Sequence, residues 1–322
     1  MTSHRSSYWD NAKGILIFLV LIGHFIMTYR PLKPIFDSIY LFHMPAFLFI
    51  SGLFSKKSSL TPRKILRLIL ILLAFNTILM IGAGGLSPSN WKWMSIHLSA
   101  WYLFALILYR LSIPILEKMG ITTSLLLFTT LGILQGLLKQ TDPFCLYKII
   151  PLFPFFIAGY WCGKLKYLQK NKEINTNYNL KSLGCVLFCI IITCGLYALK
   201  LHIITERTLL WFPYITPNDI IDRLILYLLG VLSILALLLI TPNRNIPCLT
   251  TWGFNSLIIY VIHRPITQLL HRLLPFFQEN IQGVLIFVSI SVTLLFCNTP
   301  YFVHLFNRIF DFLTDSILQN KK

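Results

Sequence analysis

Three histidines in this sequence, His24, His43 and His263, fall inside long apolar stretches. Imidazole titrates near neutral pH, so such residues can take and return a proton, as a base in an enzyme or as a relay in a transporter. The bland alternative is a packed histidine bonding a neighbouring carbonyl. Lys13 and His24 are eleven residues apart, which on a helix is three turns with about 20° left over, so both lie on one stripe about 16 Å long. His43 belongs to the next apolar stretch, LFHMPAFLFISGLF, at a depth comparable to His24 if the two stretches form a helical hairpin. Two histidines then share one pocket. Pro45 can kink that second helix, while Ser51 and Gly52 at its far end permit close helix approach.

The elements that must hold these residues are transmembrane helices. The chain is 56% hydrophobic and 12% charged, with apolar runs near the length that crosses a bilayer. About ten spans are expected, near 12–30, 36–54, 64–82, 99–116, 121–138, 148–163, 182–200, 220–241, 252–273 and 282–303. The fold class is therefore all-α, a polytopic membrane protein, with 1–322 as one membrane-embedded domain. A charge of +17 would suggest nucleic acid in a soluble chain, but here its placement matters more than its sum, and no nucleic-acid partner is expected. Asp10 and Asn11 interrupt any signal-peptide n-region, so the first helix is expected to be retained. Most cysteines (Cys162, Cys185, Cys189, Cys194, Cys297) lie in or beside apolar runs with no C-x-x-C pair. They read as packing residues, and no metal is expected.

Basic residues set the orientation. Lys56, Lys57, Arg63, Lys64 and Arg67 follow the second span, Lys164, Lys166, Lys170, Lys172 and Lys181 the sixth, and Arg308, Lys321 and Lys322 the tenth. The alternate loops carry only Arg30, Lys33, Lys92, Lys139 and Arg207. The positive-inside rule then puts both termini in the cytoplasm, as an even number of spans requires. Trp91, Trp93, Trp211 and Tyr214 on the outer side fit an interfacial belt better than a lining for sugar rings.

These motifs resemble a known family. K-G-I-x-I-x-L-V-x-x-G-H at Lys13 to His24 and F-H-M-P-x-F-x-F-I-S-G at Phe42 to Gly52 are similar to the acyltransferase family 3 membrane acetyltransferases, in particular the fucose 4-O-acetylase-like branch. Trp101-Tyr102-Leu103 with Leu106, the stretch from Phe153 to Gly159, and G-x-x-S-x-x-x-Y-x-x-H at Gly253 to His263 extend the resemblance in order along nearly the whole chain. Lys13 stands where the family often has arginine, and lysine lacks the bidentate phosphate contact.

The resemblance implies transfer of an acetyl group from cytoplasmic acetyl-CoA, a co-substrate, to a hydroxyl of a glycan or glycolipid. The residues expected to contact acetyl-CoA are Lys13, Ser51, Gly52, Arg63, Lys64, Arg67, Arg110, Tyr260, His263 and Arg264. Basic side chains at the inner face suit the CoA phosphates, and His263 with Arg264 suits the thioester or a phosphate. The acceptor is assigned Trp101 and Asp222. His24 is expected to be the base. His43 would polarise the thioester carbonyl, bind the acceptor, or act itself in an acetyl-histidine route, and the sequence does not rank these. Asp10 lies too far below His24 to orient it, and its expected partner is Lys13, three residues on.

A proton-coupled transporter using His24, His43 and His263 is the rival reading. No internal repeat and no matched pair of Gly/Pro-broken helices supports it. A scaffold in a polysaccharide assembly complex would carry inward-facing charge without benefit. Ile, Asn and Lys richness fits an AT-rich bacterial genome and does not settle the envelope type; the membrane expected is the inner (cytoplasmic) one of a bacterium. The expected partners are the lipid bilayer and the glycan acceptor, and a homodimer stays open.

Overall fold

The computed structural model describes residues 6–56, 60–84, 96–97, 99–138, 144–165, 183–184, 186, 214 and 219–319. Helix α1 (Ser7–Ile26) and helix α2 (Lys33–Leu53) form a hairpin closed by a 3-10 turn, Arg30–Leu32. Asp10 in the first turn of α1 meets the positive end of the helix dipole, and Pro34 starts α2 where a missing N–H costs nothing. Then follow α3 (Pro62–Gly84), α4 (Trp101–Leu111), α5 (Ile113–Met119), α6 (Ile121–Leu134) and α7 (Leu146–Lys164). The remaining helices are α8 (Asp219–Ile240), α9 (Pro247–Phe254), α10 (Ser256–Leu273), α11 (Glu279–Cys297) and α12 (Pro300–Gln319).

Small residues decide where helices cross. A methyl group added at Gly52, Gly159 or Gly163 would overlap the main-chain carbonyls of Phe156, Phe49 and Leu53 respectively, so α2 and α7 meet backbone to backbone. Gly52 therefore serves helix packing. The same device joins α1 to α9, where a methyl at Gly14 or Gly253 would overlap Leu249 or Asp10. Asn11 secures that contact: its Nδ2 donates to the carbonyls of Pro242 (2.9 Å) and Arg244 (2.7 Å), and its Oδ1 accepts from Thr250 Oγ1 (2.7 Å). Helix α10 is lodged against α1, α3 and α11, while α8 packs on α2.

Six of the described segments are long and apolar enough to cross a bilayer: α1, Arg30–Leu53, most of α3, α7, α8 and α11. Helices α5 and α6 bend by 115° at Gly120 and would make a seventh if they act as one broken span. The fourth expected span is short as a single helix, because α4 ends at Leu111. The ninth divides at Asn255 into α9 and α10, and His263, Arg264, His271 and Arg272 lower the hydropathy of α10. The tenth appears as α11. Helix α12, beyond all ten expected spans, lies along α3. Nearly all of the seventh expected span, with Cys185, Cys189 and Cys194, the tryptophans Trp91, Trp93 and Trp211, and nearly all of residues 201–218 lie outside the described residues.

Candidate active site

A cavity of about 420 Å³ opens at the end of the bundle where α1, α3 and α10 begin and where α2 and α4 finish. Lys13, Ser51, Lys64, Arg67, Arg110 and Tyr260 all line it, drawn from five helices. Six of the ten residues assigned to acetyl-CoA thus converge. Lys13 Nζ lies 3.4 Å from Asp10 Oδ1, the i, i+3 pairing its spacing predicts, and sits 4.7 Å from the centre of the Phe54 ring. Arg110, next to the last residue of α4, keeps its Nε buried with no hydrogen-bond partner. At the inner wall the Ser51 hydroxyl donates to the Phe47 carbonyl (2.9 Å) and meets the Tyr102 hydroxyl at 2.8 Å.

From that wall a column of rings climbs through the bundle. Tyr102 stands 5.1 Å from Tyr260, Tyr260 5.8 Å from His263, and His263 5.1 Å from His24, centre to centre. Beyond His24 the column continues through Tyr40 (6.0 Å) to His43, 4.8 Å from Tyr40. His24, His43 and His263, remote in sequence, therefore form one cluster. Helix α10 contributes Tyr260 and His263 at an i, i+3 spacing, and α2 contributes Tyr40 and His43 the same way, so each pair shares a helix face.

Hydrogen bonds fix the cluster. His43 Nδ1 donates to the Ile39 carbonyl (2.6 Å) and His263 Nδ1 to the Ile259 carbonyl (3.0 Å), each one turn back on its own helix. A proline follows each histidine by two residues, Pro45 and Pro265. His24 differs. Its Nδ1 receives the Tyr40 hydroxyl at 3.2 Å and Arg264 Nη1 at 3.5 Å. Arg264 Nε also donates to Ser99 Oγ (2.7 Å), and Tyr260 donates to the Ser99 carbonyl (2.5 Å), so the start of α4 is tied to α10.

Not every assigned residue is given over to the cavity or the cluster. Arg63 is exposed and turned to α12, where its Nε and Nη2 grip both carboxylate oxygens of Asp315 at 2.7 and 2.9 Å. Arg63 also holds the exposed Asp315 carboxyl below its ordinary range, by hydrogen bonding first and charge second. Arg67 reaches Asn307 Oδ1 (2.6 Å) and Asp311 (3.1 Å) on α12 while still lining the cavity. Trp101 is buried at the start of α4, with Lys148 Nζ 5.8 Å from its ring centre. Asp222 is buried near the start of α8 and makes no hydrogen bond to His24 or His43. Its neighbour Arg223 turns instead to the Gly132 carbonyl (2.7 Å) and stands over the Tyr214 ring. Sequence reasoning missed Tyr40, Ser99 and Tyr102 as site residues. The i, i+3 spacing of Tyr40 to His43 was the signal available for the first.

With this geometry in hand, comparison with known proteins decides the family. The acyltransferase domain of acyltransferase family 3 matches residues 6–300. The chain belongs to acyltransferase family 3. Its described residues fit an all-α membrane protein, with six helices long and apolar enough to cross a bilayer. The chain is also similar to nodulation protein NolL of Mesorhizobium japonicum, 49% identical over 61 residues, or 17% of this chain and 16% of that protein. To nodulation protein NolL of Sinorhizobium fredii it is 46% identical over 57 residues, 16% of each chain. These matches span about one sixth of the length of the curated relatives. No solved structure matches this chain.

Proposed function

We propose that this acyltransferase moves an acetyl group from acetyl-CoA to a sugar hydroxyl of a cell-surface polysaccharide or lipid-linked glycan. The observation that carries this reading is the continuity of two chemistries: a basic cavity at one end of the bundle and a histidine cluster reached from its inner wall through Tyr260. Lys13, Lys64, Arg67 and Arg110 offer the charge that CoA phosphates require, and the unpartnered Arg110 Nε fits an anion supplied from outside the protein. Ser51, Tyr102 and Tyr260 border the way from that charge toward His263 and His24. The pantetheine arm would enter there and carry the thioester to the cluster, while CoA stays on its own side.

The loops rich in lysine and arginine support placing the cavity end, and both termini, in the cytoplasm of a bacterial cell whose inner membrane holds the protein. The acceptor hydroxyl then arrives from the opposite side, near Trp101. His24 and His43 are the residues assigned to catalysis. Acetyl transfer from radiolabelled acetyl-CoA into the host's polysaccharide, in membranes carrying the wild type or His24→Ala at matched expression, tests the reading. Label with the wild type and none with His24→Ala is the result expected. Absence of label with both, together with absence of CoA binding by the purified protein, overturns the enzyme in favour of a transporter.

A further inference from the structure

Arg264 carries a permanent charge in the middle of the bundle, and its hydrogen bonds all go to neutral groups: Ser99 Oγ, Thr267 Oγ1 (3.2 Å) and His24 Nδ1. Among the described residues no carboxylate pairs with it. A cation at membrane depth without a counter-charge is costly, so its place beside the histidine cluster calls for a role. Its contact with His24 points to that role.

A guanidinium can only donate, so His24 Nδ1 must be the nitrogen that carries the lone pair, and Nε2 carries the hydrogen. His24 therefore presents an N–H, and its one lone pair is already taken by Arg264 and Tyr40. His43 is set the other way. A main-chain carbonyl can only accept, so His43 Nδ1 holds the hydrogen and Nε2 the lone pair. His263 is set like His43, but its Nε2 is sealed from solvent without a partner.

We propose, on the basis of the acetyltransferase reading above, that the His24 Nε2–H donates to the oxyanion of the tetrahedral intermediate, that Arg264 is the positioning residue that holds His24 in that tautomer from the Nδ1 edge of its ring, and that His43 Nε2 is the general base. The acceptor oxygen attacks the thioester carbonyl carbon as His43 takes the hydroxyl proton. A C–O bond forms, and the carbonyl electron pair moves to the oxygen that faces the His24 Nε2–H. Collapse re-forms the carbonyl and breaks the C–S bond, and the proton on His43 passes to the departing CoA thiolate. Donors preset at the point where charge develops contribute about 10²–10³-fold in rate. The residues that surround His24 thus make it the electrophilic half of the site.

Hydroxylamine separates these roles, because it attacks a thioester without a base to deprotonate it. The purified protein is given acetyl-CoA with either the host's polysaccharide fraction or hydroxylamine, and CoA thiol release, hydroxamate and acetylated glycan are measured for wild type, Arg264→Gln, Arg264→Lys, His24→Gln and His43→Gln. Equilibrium binding of labelled acetyl-CoA shows that each variant keeps its donor cavity. The expected result is that Arg264→Gln and His24→Gln lose both reactions by about 10²–10³-fold in kcat, with KM for acetyl-CoA within about threefold. His43→Gln loses the glycan reaction by about 10²-fold or more and loses hydroxamate formation far less. Should Arg264→Gln not accumulate, Arg264→Lys decides alone, with kcat down about tenfold at unchanged KM. The proposal is overturned if either Arg264 variant raises KM while sparing kcat, which marks a permanent anion of a substrate. It is equally overturned if His24→Gln spares hydroxamate, which makes His24 the base, or if His43→Gln affects both reactions alike. A wild type that binds acetyl-CoA yet acetylates neither acceptor refutes the acetyltransferase reading itself, a result distinct from any variant's.

Discussion

Arg110 stands at the basic cavity and Arg264 at the histidine cluster, and they are held in opposite ways. Arg264 is fixed by Ser99, Thr267 and His24, so its guanidinium has one orientation. Arg110 borders an open cavity and leaves a buried Nε unsatisfied, which costs about 1–3 kcal/mol until something binds. A stable anion with many oxygens, such as a phosphate chain, can find a loosely held cation and still pair well with it. An oxyanion that exists only in a transition state cannot wait for a side chain to reorient. The contrast supports the proposal that the two arginines, alike in charge, serve separate ends, Arg110 donor binding and Arg264 the rate through His24.

The hardest test of that division is His24→Ala. With the electrophilic half of the site removed, acetyl transfer is expected to fall by about 10³-fold or more, while labelled acetyl-CoA still binds within about threefold of the wild type. If binding fell as far as transfer, the cavity and the cluster would be one site. Arg110→Gln should do the reverse. Loss of one charge-assisted contact in a partly buried site costs about 1.5–3 kcal/mol, so KM for acetyl-CoA should rise roughly 10- to 100-fold, with kcat nearly unchanged. Steady-state kinetics on the two variants, side by side, either separates the regions or merges them.

Much of this layout is legible from sequence, because helix period and hydropathy act locally. The three-residue spacing of Asp10 and Lys13 predicts the 3.4 Å pair found between them. The depth of His43 along its apolar stretch predicts that it shares a cluster with His24. What is illegible depends on distant partners. The tautomer of His24 is set by Arg264, 240 residues away, and no local pattern encodes that contact. Helix α12 escapes hydropathy because Asn307, Arg308, Asp311 and Asp315 interrupt its apolar face. The divided ninth span escapes it because the close contact of Gly253 with Asp10 on α1 is a tertiary constraint on an otherwise continuous run.

Tyr102 lies at the junction of the two regions, touching Ser51 on the cavity side and Tyr260 on the cluster side. Tyr102→Phe removes one hydrogen bond and keeps the ring contacts. Ser51 still donates to the Phe47 carbonyl, so no buried donor is orphaned. The expected loss is about 0.5–1.5 kcal/mol, a change of roughly 3- to 10-fold in kcat/KM. It should be shared between kcat and KM, unlike the clean splits at His24 and Arg110. A change confined to either parameter would assign Tyr102 to one region.

The smallest expected effect belongs to Arg63, and it sharpens the comparison at its basic end. Arg63, Lys64 and Arg67 read as one cluster along the chain, but only Lys64 and Arg67 line the cavity. Arg63 spends its planar fork on Asp315, outside the cavity and in contact with solvent. Exposed ion pairs contribute little, and screening by salt weakens them further. Arg63→Gln is therefore expected to change KM for acetyl-CoA by less than about twofold, against the 10-fold or greater change at Arg110. A titration of acetyl transfer against acetyl-CoA, run at low and at physiological salt, checks it. If Arg63→Gln raised KM as much as Arg110→Gln does, Asp315 would have to release Arg63 when CoA arrives. Helix α12 would then compete with the donor for its own binding charge.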